Sequence, residues 1–416
     1  MNNDKGKRPD NIRENGWQED TDLKDLAGAE LDIQLGPAHP AMHGIVRLKT
    51  LVEGESLLFI EPEIGFLHRG FEKTCEHRKW TQCIPYVDRL NYVSAPVNDI
   101  GFCMAVEEMW GIDKDIPPRA VHLRTMLMEM GRLTDHLTCV AASAMELGGF
   151  TAFLWLMQAR EFWYFFLENY CGARITTNLA RIGGMPYDTF IGFEEQITDS
   201  IRRTRQLIYE THTLLTRNRI FYDRTRNTGT ITQEEAINLG FTGPVLRSTG
   251  IDLDLRKTEP YLLYDQLDFE VPVGVNGDNY DRYLVRMDEM EQSMRMLEQL
   301  LPNIPEGPLM VEDPHIAVVP KTETYSHIEG IIHHFKLQTD GHQVPKGDHY
   351  FAVEAPNGEL GFYLVSDGTG LPYRLRARPA CLFMTAGLPY MLKGQMLPDI
   401  VPTFGSINMI GGELER

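Results

Sequence analysis

Leu35-Gly36-Pro37-Ala38-His39-Pro40-Ala41-Met42-His43-Gly44 decides how the first third of this chain is read. The stretch holds two histidines four apart, two prolines and two glycines. On a helix that spacing would place both imidazoles on one face, as in zinc proteases. Pro40 lies between them and biases His39 away from helical angles. Gly36-Pro37 and Gly44 are turn signals. On either side, Leu31-Asp32-Ile33-Gln34-Leu35 and Ile45 to Val52 alternate apolar and polar residues with period two, the pattern of strands. The stretch is therefore the tip of a β-hairpin that carries His39 and His43. A loop histidine in water is the ordinary reading; a hairpin tip pushed into a cleft is the functional one.

The 416 residues suffice for a sizeable core, at 43% hydrophobic and 24% charged. A formal net charge of −19 argues against a nucleic-acid partner, which needs a basic footprint. It also argues against a broad grip on anionic lipid. Cys75, Cys83, Cys103, Cys139, Cys171 and Cys381 form no CxxC pair, so free thiols in a reducing compartment are expected. The most apolar run, Cys139 to Met157, is interrupted by Glu146 and Gly148-Gly149 and reads as a buried helix and turn, not a membrane span.

The chain divides into a polar tail over 1–30, an antiparallel sheet with the histidine hairpin over 31–64, a helical body over 65–345, and a β unit and tail over 346–416, all in one compact unit. Arg69 and Lys73 sit four apart at an apparent helix start. Phe102, Ala105, Val106 and Met109 share a helical face. Leu123, Met126, Leu127, Met130, Leu133, Leu137 and Val140 trace a long core stripe after the helix-starting Pro117-Pro118. Thr151 to Tyr170, Phe193 to Thr216 and Asp288 to Leu301 read as further helices, and Thr232 with Glu235 as a capping box. Tyr350 to Ala355, Leu360 to Ser366 and Tyr373 to Arg378 read as strands, the first two joined by a hairpin turn at Pro356-Asn357-Gly358-Glu359. The fold class is α+β, mainly α.

No phosphate loop, GxGxxG after a strand or GxSxG elbow occurs, so nothing signals NAD(P), ATP or a serine hydrolase. Three residues stand out. His43 lies on the glycine-proline tip, Tyr92 in the aromatic and charged segment Pro85 to Ser94, and Glu146 in an apolar run. A buried carboxyl either is a satisfied core acid or holds a proton. Histidine and tyrosine together can donate to two carbonyl-type oxygens and protonate them.

Six stretches in the same order carry a resemblance: Gly36 to Gly44; Ile64 to Lys73 with its Leu67-His68-Arg69-Gly70; Pro85 to Ser94; Leu255 to Gly274; His333 to Pro345; and Glu354 to Arg374. From Asp32 to Arg416 the chain resembles the D-subunit family of bacterial NADH:quinone oxidoreductases (respiratory complex I), itself similar to the large subunit of nickel–iron hydrogenases. The resemblance implies a hydrogenase large-subunit-like fold with a quinone head-group site in the former metal cavity. The two thiol pairs of a nickel–iron site are missing, so that metal is excluded. His43 matches the hairpin histidine on the quinone head group, and Tyr92 the tyrosine on its other carbonyl. Arg69 matches an arginine beside the iron–sulfur cluster held by the neighbouring B subunit. His39 matches a further motif histidine. Ubiquinone or menaquinone is the implied substrate, with no metal or flavin on this chain. The B and C subunits of the peripheral arm and the membrane-arm H subunit are the implied partners, on the cytoplasmic side of the inner membrane.

Two positions depart from the family. Glu146 stands where an aspartate usually pairs with the quinone-site histidine; the longer acid leaves a proton relay to His43 in place with altered geometry. Thr176 stands where many members have a histidine near the cluster, and threonine does not titrate at neutral pH. A weaker pH dependence of the cluster potential, and a low-potential quinone such as menaquinone, follow as expectations. A related complex fed by F420H2 or ferredoxin and a non-catalytic scaffold are the alternatives.

Overall fold

The structure, a computed structural model, describes residues 30–416. The tail expected over 1–30 lies outside them, except that the backbone of Glu30 begins the first strand. Strands β1 (Glu30–Leu35), β2 (Arg47–Glu53) and β3 (Ser56–Glu63) form an antiparallel sheet in that order. Leu35 pairs with Leu48 across the histidine hairpin, and Glu53 with Ser56 across the second turn. The period-two pattern buries Leu48, Thr50 and Val52 on one face, as alternation requires.

Helices α1 (Phe71–Cys75), α2 (Trp80–Val87), α3 (Ala95–Trp110), α4 (Pro118–Glu146), α5 (Phe150–Cys171), α6 (Phe193–Leu215) and α7 (Asn279–Leu300) build the body. Helix α4 is its axis, 29 residues or about 44 Å long. It packs against α3, α5, α7 and a short helix at Ile400–Ser406. Its expected stripe is core: Leu123, Met126, Met130, Leu133 and Leu137 are wholly buried. The capping box at Thr232 and Glu235 forms as expected. Strands β4 (Gly347–Ala355), β5 (Gly358–Ser366) and β6 (Pro372–Arg378) make a second antiparallel sheet, with the turn at Pro356-Asn357 between the first two. The architecture is thus α+β and mainly α, with one small sheet near each end.

Four features differ from the sequence-based expectations. Helix α3 begins at Ala95, ahead of the Ile100 where the apolar pattern becomes regular, because Pro96 is accommodated in its first turn. Helix α7 begins at Asn279, where the Asp278 carboxylate caps the Asp281 amide; the apolar pattern becomes visible only nine residues later. Arg69 lies two residues before α1, so it does not share a helical face with Lys73.

The fourth difference is the largest. Residues 380–416 are not a tail but a run of short helices at Ala380–Ala386, Leu388–Leu392, Ile400–Ser406 and Gly411–Glu415. Their Met384, Leu388, Met391, Phe404 and Leu414 form one cluster with Met42, Val46, Leu48 and Val52 of the hairpin. The hairpin face needs a cover, and these helices supply it; each large side chain so buried contributes about 1.5–3 kcal/mol. No helix among the described residues is long and apolar enough to cross a membrane. All six cysteines are free thiols.

Candidate functional site

The hairpin tip is shaped by its own sequence. Gly36 takes φ +86°, and a Cβ there would lie 2.2 Å from the Val46 carbonyl oxygen, so only glycine closes the hairpin this tightly. His39 is extended, as Pro40 requires, and its Nδ1 accepts from the Ala41 amide at 3.2 Å. His39 thus caps the turn Pro40–Met42, a structural role that the sequence left open. Met42 is wholly buried and anchors the tip.

His43 follows in the left-handed region at φ 55°, which turns its side chain toward the end of α4. Its Nε2 lies 3.1 Å from Glu146 Oε1, across 103 residues of chain. The imidazole edge also meets the Phe404 ring at 5.9 Å. The His43 side chain is 39% exposed and that of Glu146 only 6%. Glu146 is therefore the buried anchor and His43 the accessible group. The second oxygen of Glu146 is buried without a partner. Gly405 leaves the room it occupies: a Cβ there would lie 2.5 Å from Glu146 Oε2.

Tyr92 opens a single helical turn at Tyr92–Ser94, started by Asn91, whose side chain accepts from the Val93 amide at 3.3 Å. Although 38% of Tyr92 is open to solvent, its burial, aided by nearby Cys381 and Asp135, pushes the phenol above its ordinary range. The phenol keeps its proton through neutral pH. Among the described residues no hydrogen bond or ring contact joins Tyr92 to His43; the two belong to neighbouring segments around the Val93 and Phe404 cluster. Two open clefts of about 560 and 600 Å³ lie elsewhere, and neither is lined by His43, Tyr92 or Glu146.

Arg69 is exposed, and its Nη2 donates to the Tyr86 carbonyl at 2.7 Å, while Arg89 Nη1 donates to Pro85 O at 2.6 Å. The two guanidiniums gather at the end of α2, and burial lowers the Arg69 pKa from its usual value. The loop before Arg69 is held by Glu415, whose carboxylate accepts from the Gly65 amide at 2.7 Å and from the Leu67 amide. His68 Nδ1 meets the Glu415 carbonyl at 2.7 Å. That role of residues 411–416 had no signal in the sequence.

Thr176 sits at φ 53°, an unusual conformation for a β-branched residue. Its loop is tied down by two buried carboxylates: Asp99 accepts from the Leu179 amide at 2.9 Å and Asp88 from the Asn178 amide at 3.5 Å. Burial raises both acids, Asp88 to about 6; the Asp88 charge pushes Asp99 up further, while a hydrogen bond from Asp99 pulls Asp88 the other way.

Deeper in the body, the polar face of α4 is buried in ion pairs and hydrogen bonds. Arg124 clasps Glu107 at 2.6–2.7 Å, His136 meets Glu289 at 2.7 Å, and Glu129 receives Arg256, Tyr264 and Ser293. Pattern reasoning treats such residues as a solvated face. The partners that bury them come from α3, α7 and the Leu255–Gly274 stretch.

The family model described as respiratory-chain NADH dehydrogenase, 49 Kd subunit, matches residues 146–416. The chain is 52% identical over 384 residues to the NADH-quinone oxidoreductase D subunit of Myxococcus xanthus, covering 92% of each. It is 50% identical over 391 residues to an NADH-quinone oxidoreductase D subunit of an Anaeromyxobacter species, covering 94% of this chain and 90% of that one. It is also 46% identical over 386 residues to the C/D subunit of the same enzyme in Bdellovibrio bacteriovorus, covering 93% of this chain and 69% of that protein.

Proposed function

Since the chain belongs to the family of the 49 Kd subunit of respiratory-chain NADH dehydrogenase, and so is one component of an NADH-quinone oxidoreductase complex, we propose that it forms the quinone head-group site of that complex. His43 and Tyr92 grip the two quinone carbonyls, and Glu146 holds and reloads His43. The observation that carries this reading is the contact between His43 and Glu146, an accessible imidazole on a buried carboxylate.

The electrons come from the iron–sulfur cluster of the adjacent B subunit. This chain's own residues supply protons. Reduction of a quinone to a quinol takes two electrons and two protons. In the imidazolium form, His43 donates Nε2–H to Glu146 and leaves Nδ1–H to face one quinone oxygen. Giving up the Nδ1 proton leaves a neutral ring still bonded to Glu146. Tyr92, protonated through neutral pH, gives the second proton to the other oxygen. The exposed guanidinium of Arg69 faces the cluster-bearing neighbour and favours added negative charge on the cluster. The C subunit and the membrane-arm H subunit are further neighbours, and a relative whose name joins C and D in one chain supports the first. The complex holds the chain on the cytoplasmic side of the inner membrane. With Thr176 in place of a histidine, the cluster potential depends only weakly on pH, which suits menaquinone.

Tyr92→Phe in the assembled complex tests the site. Quinone reduction falls by about 10²–10⁴-fold, the usual contribution of a placed acid, while NADH-driven ferricyanide reduction is kept. Full quinone reductase activity would leave the chain a scaffold.

A further inference from the structure

Helix α4 presents two carboxylates on one face. Asp135 and Glu146 are eleven residues apart, three turns and about 16.5 Å along the axis. Glu146 holds His43. Asp135, 1% exposed, points at the segment that carries Tyr92: its Oδ2 accepts from Asn91 Nδ2 at 2.7 Å. Asn91 in turn caps the turn of Tyr92 through Val93 N. The preceding residue of α4 grips the other side of Tyr92, since Thr134 Oγ1 donates to Val93 O at 3.0 Å. Asp135 Oδ1 accepts from Asn408, which also donates to Asn357 at 2.6 Å. Both oxygens are thus filled by amides from separate segments. The proposed proton chemistry uses neither Asp135 nor the amides that fill it.

We infer that Asp135 is a positioning residue for quinone reduction: as a buried carboxylate it acts through Asn91 to hold the Tyr92 phenol in place, as Glu146 holds His43. The inference rests on the reading of Tyr92 as a quinone ligand. Ionised, Asp135 accepts from both amides, and its charge helps keep the proton on Tyr92. Protonated, it turns a donor toward one of them and the clamp opens. Burial pushes this carboxyl up to about 6; Arg286 of α7 and the two amides oppose the shift, and Glu413 adds to it. The other titratable groups around Asp135 are Cys139 on its own helix, Tyr164 of α5, and Cys381 and Tyr92 across the cluster. Quinone reduction therefore falls as pH drops through about 6.

The test compares assembled wild-type complex with Asp135→Asn, and with the exchange Asn91→Asp plus Asp135→Asn, which restores an acid–amide pair across the same contact. Asp135→Asn lowers kcat/KM for quinone by about tenfold or more, as a displaced group does, and removes the acid limb, with ferricyanide reduction unchanged. The exchange recovers most of the rate. A wild-type profile without an acid limb specific to quinone overturns the inference even if the single variant does not assemble. So does an unchanged kcat/KM in Asp135→Asn, or no recovery in the exchange. Tyr92→Phe separates the two readings. If that variant is impaired while Asp135→Asn behaves as wild type, only the positioning role falls; if it is fully active, the quinone-ligand reading falls as well.

Discussion

Glu146→Asp removes one methylene and draws the carboxylate back by about 1.5 Å, one carbon–carbon bond. The contact with His43 Nε2, now 3.1 Å, then opens beyond hydrogen-bond range. Helix α4 cannot slide to compensate, because Cys139, Val140 and Ala144 of its last turns are buried. Hydrogen bonds to charged groups are worth about 1.5–3 kcal/mol, but the 39% exposure of His43 screens this one, so about 1 kcal/mol is a fair value. If that energy orients the imidazole, the rate falls about fivefold, since about 1.36 kcal/mol is tenfold. The assay is NADH:quinone against NADH:ferricyanide activity in membranes with assembled complex. A drop confined to quinone is the expected result. Wild-type quinone activity in Glu146→Asp, beside a large loss in His43→Ala, would refute the claim that this carboxylate orients His43.

Gly405→Ala reaches the same contact from the other side, because its Cβ would crowd Glu146 Oε2 at 2.5 Å. It should lower quinone activity and cost about 1–3 kcal/mol of stability, as overpacking does, read by thermal unfolding. Asp99→Asn relieves the buried pair with Asp88. Burial holds the Asp99 carboxyl well above its usual range, and a carboxyl raised in the folded state loses stability as pH rises from its unfolded pKa toward its folded one. The variant should therefore gain roughly 1–3 kcal/mol at pH 8 but little at pH 4, and an unchanged pH slope of the melting temperature would count against it. Glu415→Gln weakens the carboxylate clamp on the Gly65 and Leu67 amides, so hydrogen exchange over 64–69 should quicken while the body stays protected.

Much of the fold is legible because local rules act on short windows. Period-two alternation shows β1 and β2, and Pro40 rules out a helix through the histidines. The stripe from Leu123 to Val140 shows α4. The site is less legible. His43 and Tyr92 stand out by residue type, and the roles proposed for them rest on resemblance. The partnership of His43 with Glu146 spans 103 residues, and no window contains both. The starts of α3 and α7 do not show in the apolar pattern, because a first-turn proline sets the one and the Asp278 cap the other.

What the sequence determined alone is therefore the elements: hairpin, helical stripe, second sheet, missing thiol pairs. Tertiary structure alone decided that Arg124, Glu129, Asp135 and His136 lie inside rather than in water, and that residues 380–416 cover the hairpin. The reason is physical. An apolar side chain announces its burial by its own chemistry, whereas a charged one can be buried only when a distant segment brings its counter-charge or its hydrogen-bond partners.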